Sequence, residues 1–180
     1  METIIRKIKK VRGDKVMIYD FQTFSYVFGK RSNLESYIAN VFIKGVDMAT
    51  EMSASAHPEL IIKTKKVESD LVEHAKNANY RGKGNMQHSC VQEYLLKFDP
   101  YTVACELPCR DGDLSCFIDV VRVLGERVQV VDFKPKAHKE RKAATQVFLN
   151  MKLLAKTAHI PFSSIDGFYF DDENCYQVIV

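Results

Sequence analysis

At 180 residues, with 46% hydrophobic and 27% charged side chains and a net charge of +3, the chain has the composition of a soluble globular protein able to bury its own core. No apolar run approaches the ~20 residues needed to span a bilayer, and Met1–Lys7 has no apolar stretch behind its charges, so a cytoplasmic protein with neither membrane span nor signal peptide is expected. The five cysteines, Cys90, Cys105, Cys109, Cys116 and Cys175, contain no C-x-x-C pair and no common zinc spacing, and in a reducing compartment they read as small buried apolar residues.

Residues 15–29 read as one or two short strands ending at Gly29. Residues 33–52 read as a helix, with Asn33 as its N-cap and Leu34, Tyr37, Ile38 and Val41 on one face. A loop over 53–58 closes at Pro58, a second helix covers 67–79, and the stretch 80–84 separates it from a third that runs to Phe98. On this third helix His88 shares a face with Val91 and Leu95 and points inward, the ordinary position of a satisfied core histidine, while Glu93 lies on another face. A strand follows over 101–107. Its apolar side is Tyr101, Val103, Cys105 and Leu107; Glu106 faces the other way, either as an exposed carboxylate or as a third acidic group of a site. Arg110–Asp113 reads as a turn.

The segments 114–123 and 127–134 alternate and are rich in Val, Ile and Phe, so they read as strands joined by a hairpin turn at Gly125. Asp132 and Lys134 then share a face, with Phe133 on the other, and a register laying Asp119 beside Asp132 converges three charges on one point. Charges inside a sheet are costly unless a cation or partner compensates them. A helix over 139–158 buries Ala143, Ala144, Val147, Met151, Leu154, Ala155 and Ala158, with Gln146 at the border of that stripe. Two further strands, 165–170 and 176–180, flank a solvated turn at 171–174. Basic residues crowd the first fifteen positions, recur at Lys63, Lys65 and Lys66, and gather again from Lys134 to Lys142. The last group precedes a helix whose free N–H groups already favour anions, which suits a phosphate backbone.

Taken in order, Gly84-x-x-x-His88, Glu106, Asp119, Asp132-x-Lys134 and Gln146 resemble the catalytic core of the PD-(D/E)XK nuclease superfamily, and within it the RecB-like branch. The resemblance covers residues 80–158; Ile118 stands where the family often has proline, and Asn150 where a tyrosine is common. It implies an α/β (α+β) fold with a restriction-endonuclease-like core, a mixed central sheet flanked by helices, over residues 67–180, with residues 1–66 as a strand and helix extension packed on it. It implies Mg²⁺ or Mn²⁺ held by His88, Asp119, Asp132 and the main-chain carbonyl of Phe133, with Glu106 among the catalytic acids. Lys134 would act on the attacking water, and Lys136, Lys139, Arg141, Lys142 and Gln146 would hold nucleic acid. The expected activity is hydrolysis of DNA at single strands or duplex ends. Two alternatives stand beside it: an RNA endonuclease of the cap-snatching type, and a non-catalytic nucleic-acid-binding module.

Overall fold

Residues 7–12, 15–19, 32–79 and 85–180 are described by the computed structural model. Its centre is a hairpin of β6 (Leu114–Leu124) and β7 (Arg127–Phe133), which pair antiparallel from Val120↔Val131 to Leu124↔Arg127. The two residues between them turn the chain, and Gly125 takes φ +56, a conformation glycine adopts without steric cost. β5 (Thr102–Asp111) pairs with the other edge of β6. It runs beyond the expected end at Leu107, and the turn of the expected Arg110–Asp113 loop is confined to Gly112 and Asp113.

The strands form one mixed sheet in the order β1 (Lys7–Arg12), β2 (Lys15–Tyr19), β5, β6, β7, β8 (Ile165–Phe170), β9 (Cys175–Ile179), β4 (Lys63–Val67), with the short β3 (Thr50–Glu51) beside the start of β6. β7 and β8 are parallel, so the chain must cross over between them, and the helix α4 (Ala143–Thr157) makes that crossover. The sheet therefore incorporates β1, β2, β3 and β4 from the first 67 residues, and β4 spans the position where the N-terminal extension was expected to end. β1 and β4 were hidden in the sequence by runs of lysine. β4 is an edge strand whose Lys63, Lys65 and Lys66 are exposed, where lysine discourages pairing with another chain.

Two apolar layers cover the sheet. Leu34, Ile38 and Val41 from α1 (Ser32–Lys44) and Val147, Met151 and Leu154 from α4 join Val128 and Val130 on one face. Leu71 and Ala75 from α2 (Asp70–Ala78) and Val91 and Leu95 from α3 (Asn85–Phe98) join Val131 and Phe133 on the other. α1 stops at Lys44 rather than continuing to 52, because Gly45 turns left-handed at φ +76 and its N–H closes on the Val41 carbonyl. Ser69 caps α2, accepting from the Leu71 N–H, and Asn79 ends it in the left-handed region. Gly84 and residues 20–31, with the end of the expected second strand, lie outside the described residues. Among the described residues no helix is long and apolar enough to cross a membrane.

Candidate active site

Strand register brings the acidic residues together. The β6–β7 ladder, continued one step past Val120↔Val131, sets Asp119 opposite Asp132. The β5–β6 pairs Leu107↔Ile118 and Cys105↔Val120 bracket Glu106 and Asp119 in the same way. Glu106 and Asp132 are buried, and the Asp119 side chain keeps 15% of its surface in contact with solvent. The expected alternative of an exposed Glu106 carboxylate on a polar strand face is thus not what the fold produces: β5 is a central strand, buried on both sides.

The electrostatics follow from this crowding. Burial and the neighbouring Asp119 charge push the Asp132 carboxyl well above the ordinary carboxylate range, and Lys134 offsets only part of that. Burial also opposes ionisation of Asp119, but contact with His88 and Asp132, together with the Lys134 charge, outweighs it and holds Asp119 at about 2. The two carboxyls of the facing pair are pushed in opposite directions, Asp132 toward its protonated form and Asp119 toward its ionised form. Asp119 Oδ2 and Asp132 Oδ2 are both shielded from water and receive no well-directed hydrogen bond, although His88 Nδ1 lies 3.3 Å from the first and Lys134 Nζ 3.0 Å from the second.

Helix α3 and helix α4 approach this point from opposite faces of the sheet. Burial of Val91 and Leu95 seats α3, and His88 then reaches Asp119 while its ring meets the edge of Phe133 at 5.4 Å. Gln92, one turn later, donates to Glu106 Oε1 and to the main-chain carbonyl of Asp119, each at 3.1 Å. From the other side Gln146 of α4 accepts from Lys134 Nζ at 3.3 Å. Burial works against the Lys134 charge, but attraction to Asp132 and Asp119 prevails and raises its pKa, so the ammonium stays charged at neutral pH.

The basic segment is arranged differently from expectation. The helix begins at Ala143, not near 139, and Ala137–Lys139 form a separate helical turn introduced by Lys136 at φ +81. Lys136, Lys139, Arg141 and Lys142 are all exposed, and Lys142 donates to Ser55 Oγ at 2.6 Å. The loop between the last strands is also not merely solvated. Asp171 is buried; its carboxylate accepts from Ala137 N at 2.7 Å and from the N–H groups of Glu173 and Asn174, tying that loop to the chain leaving β7.

Sequence reasoning missed a second charged cluster. Asp70, His74 and Asp99 place one ligand atom each within 4.8 Å of one another, a group that could hold a metal ion. Arg122 already lies among them, donating to Asp99 Oδ2 at 2.8 Å and to Asp70 Oδ2 at 2.6 Å. Asp99 also accepts from Thr102 Oγ1 at 2.5 Å, and Arg122 packs beneath the Tyr101 ring. Charge here is balanced by a guanidinium, whereas Asp119 and Asp132 have His88 and Lys134 beside them.

No family model, curated protein or solved structure matches the chain. The functional reading accordingly rests on the geometry of the site and on the ordered motif in the sequence.

Proposed function

We propose that the chain is a divalent-metal-dependent nuclease whose centre is Asp119, Asp132, Glu106, His88 and Lys134, built on a restriction-endonuclease-like core. The observation that carries this reading is the facing Asp119–Asp132 pair, whose Oδ2 atoms are buried without a directed hydrogen bond. Buried carboxylate oxygens are costly unless something compensates them, and an oxygen-rich donor set is what a hard cation such as Mg²⁺ or Mn²⁺ prefers. Asp119, Asp132 and the Phe133 carbonyl would hold it, with His88 adding a nitrogen that favours Mn²⁺. Bound there, the metal supplies charge neutralisation at the phosphate and makes water more acidic.

The protein groups carry the rest. Lys134, its ammonium favoured by Asp132 and Asp119, would orient or help deprotonate the attacking water and offset charge that develops on the phosphorus oxygens. Gln146 holds that ammonium in place. Lys136, Lys139 and Arg141, exposed just beyond the centre, offer counter-charge to the phosphodiester backbone. Asp70, His74 and Asp99 are the weaker candidate for the catalytic ion because Arg122 already supplies their cation.

The test is cleavage of labelled single-stranded DNA, duplex DNA and RNA with Mg²⁺, with Mn²⁺ and with chelator. Metal-dependent loss of single-stranded DNA or of duplex ends supports the reading. Preference for RNA would favour the cap-snatching type, and binding without cleavage of any substrate would leave a non-catalytic module. Lys134→Ala should reduce turnover by about a hundredfold or more with little change in DNA affinity, since its contribution falls in the transition state. Neutralising Lys136, Lys139, Arg141 and Lys142 together should instead weaken binding in Ca²⁺ and flatten its salt dependence. An unchanged salt slope would make that segment a solvated face.

A further inference from the structure

Strand register also sets two cysteines face to face. Cys109, near the end of β5, and Cys116, near the start of β6, are direct partners in the antiparallel ladder. Such partners hold their Cα atoms about 4.5 or 5.5 Å apart, and a disulfide spans about 4.4–6.8 Å. Both side chains enter the apolar layer that α1 and α4 cover, so they leave the sheet on the same face. The fold keeps the other cysteines away from them. Cys105 and Cys175 belong to the layer on the opposite face, and Cys90 is carried by α3, which packs there too.

The two thiols are not equivalent. Burial opposes ionisation of Cys109, yet its contacts with Cys116, Tyr37 and Thr157 outweigh burial and draw its pKa down. Contact with Cys109, and then burial, push the Cys116 thiol well above the ordinary range. Cys109 is therefore the thiol that ionises first, with Cys116 protonated beside it. We infer that Cys109 and Cys116 are a hydroperoxide-responsive dithiol that closes reversibly into a disulfide across the β5–β6 hairpin. The Cys109 thiolate attacks a peroxide oxygen; a sulfur–oxygen bond forms, the O–O bond breaks, and the leaving oxygen takes up the proton that the thiol gave up. The Cys116 sulfur then displaces the hydroxyl of this sulfenic acid, and its own proton leaves with that hydroxyl as water. With hydrogen peroxide, two thiols are oxidised and one peroxide reduced, giving one disulfide and two waters. The oxidant is little larger than water, and the pair lies two ladder steps from the hairpin turn, with Cys116 4% exposed. The bridge stands three residues from Glu106 along β5 and three from Asp119 along β6, and it requires no metal there.

The test treats the folded protein with hydrogen peroxide, then unfolds it in urea with N-ethylmaleimide and digests it with trypsin, which cuts after Arg110 between the two cysteines. Labelled thiols are expected to fall from five to three. Mass spectrometry should find peptide 98–110 joined to 111–122, two hydrogens lighter than the separate pair and parted by dithiothreitol. The joined pair should persist in Cys105→Ala, whose site lies in the first peptide. Five labelled thiols after peroxide would overturn the inference. Sulfinic acid at Cys109 with Cys116 still labelled, or a link from either residue to a different cysteine, would overturn it as well.

Discussion

Asp119→Asn and Asp132→Asn, each assayed on labelled DNA with Mg²⁺ or Mn²⁺, are expected to lose cleavage by about a thousandfold or more while remaining folded. A charge-stabilising metal is worth several kcal/mol in the transition state, and each 1.4 kcal/mol is roughly tenfold in rate. The two variants should differ in stability when metal is chelated. The folded-state pKa of Asp132 is raised, so at neutral pH ionising it in the folded protein opposes folding. Asp132→Asn removes that opposition and should melt above the wild type at pH 7. The advantage is present above the folded pKa, declines as pH falls through it, and vanishes below the ordinary aspartate value of about 4, where the unfolded chain is protonated too. Asp119 is the reverse case: held at about 2, its ionised form favours folding at neutral pH, and that contribution is lost as pH falls from about 4 toward 2. Thermal unfolding with chelator from pH 2 to 8 reads both. Full cleavage by either variant would remove that carboxylate from the centre.

Arg122→Met should be the most destabilising single change outside the apolar core. Arg122 is 1% exposed and Asp99 is fully buried, so deleting the guanidinium removes the cation paired directly with this carboxylate in a place water does not reach. Breaking a buried pair from one side typically costs about 3–5 kcal/mol, a large share of the stability of a domain this size. Adding Asp99→Asn should recover part of the loss, since the stranded charge is then gone. Urea unfolding of the single and double variants measures both effects. A loss under about 1 kcal/mol for Arg122→Met would mean that solvent or His74 compensates Asp99 instead.

The convergence of Asp119, Asp132 and Lys134 was legible because strand alternation and a turn of two residues leave the hairpin little choice of register. The inward direction of His88 was legible for a similar reason, from its spacing to Val91 and Leu95. Gln92 lies one turn from His88 and could have been picked out by the same spacing. Yet a glutamine on the border of an apolar stripe says nothing of its acceptors, and these are 14 and 27 residues away. Arg122 was illegible for the same reason, with partners 23 and 52 residues away. The sheet edges failed differently. β4 has four of its five residues exposed, so no hydrophobic period marks it, and it exists because β9 offers a pairing edge. The overlong reading of α1 came from weighing apolar spacing past Lys44 above the left-handed glycine that stops the helix.

The central claim is that a divalent cation sits between Asp119 and Asp132. Anomalous diffraction from a crystal soaked in Mn²⁺ tests it most directly. The account predicts a peak within coordination distance of both carboxylates, roughly 2.0–2.4 Å from their oxygens, that is absent in Asp132→Asn. A peak at Asp70, His74 and Asp99 with none at Asp119, or no peak under conditions that support cleavage, would contradict it.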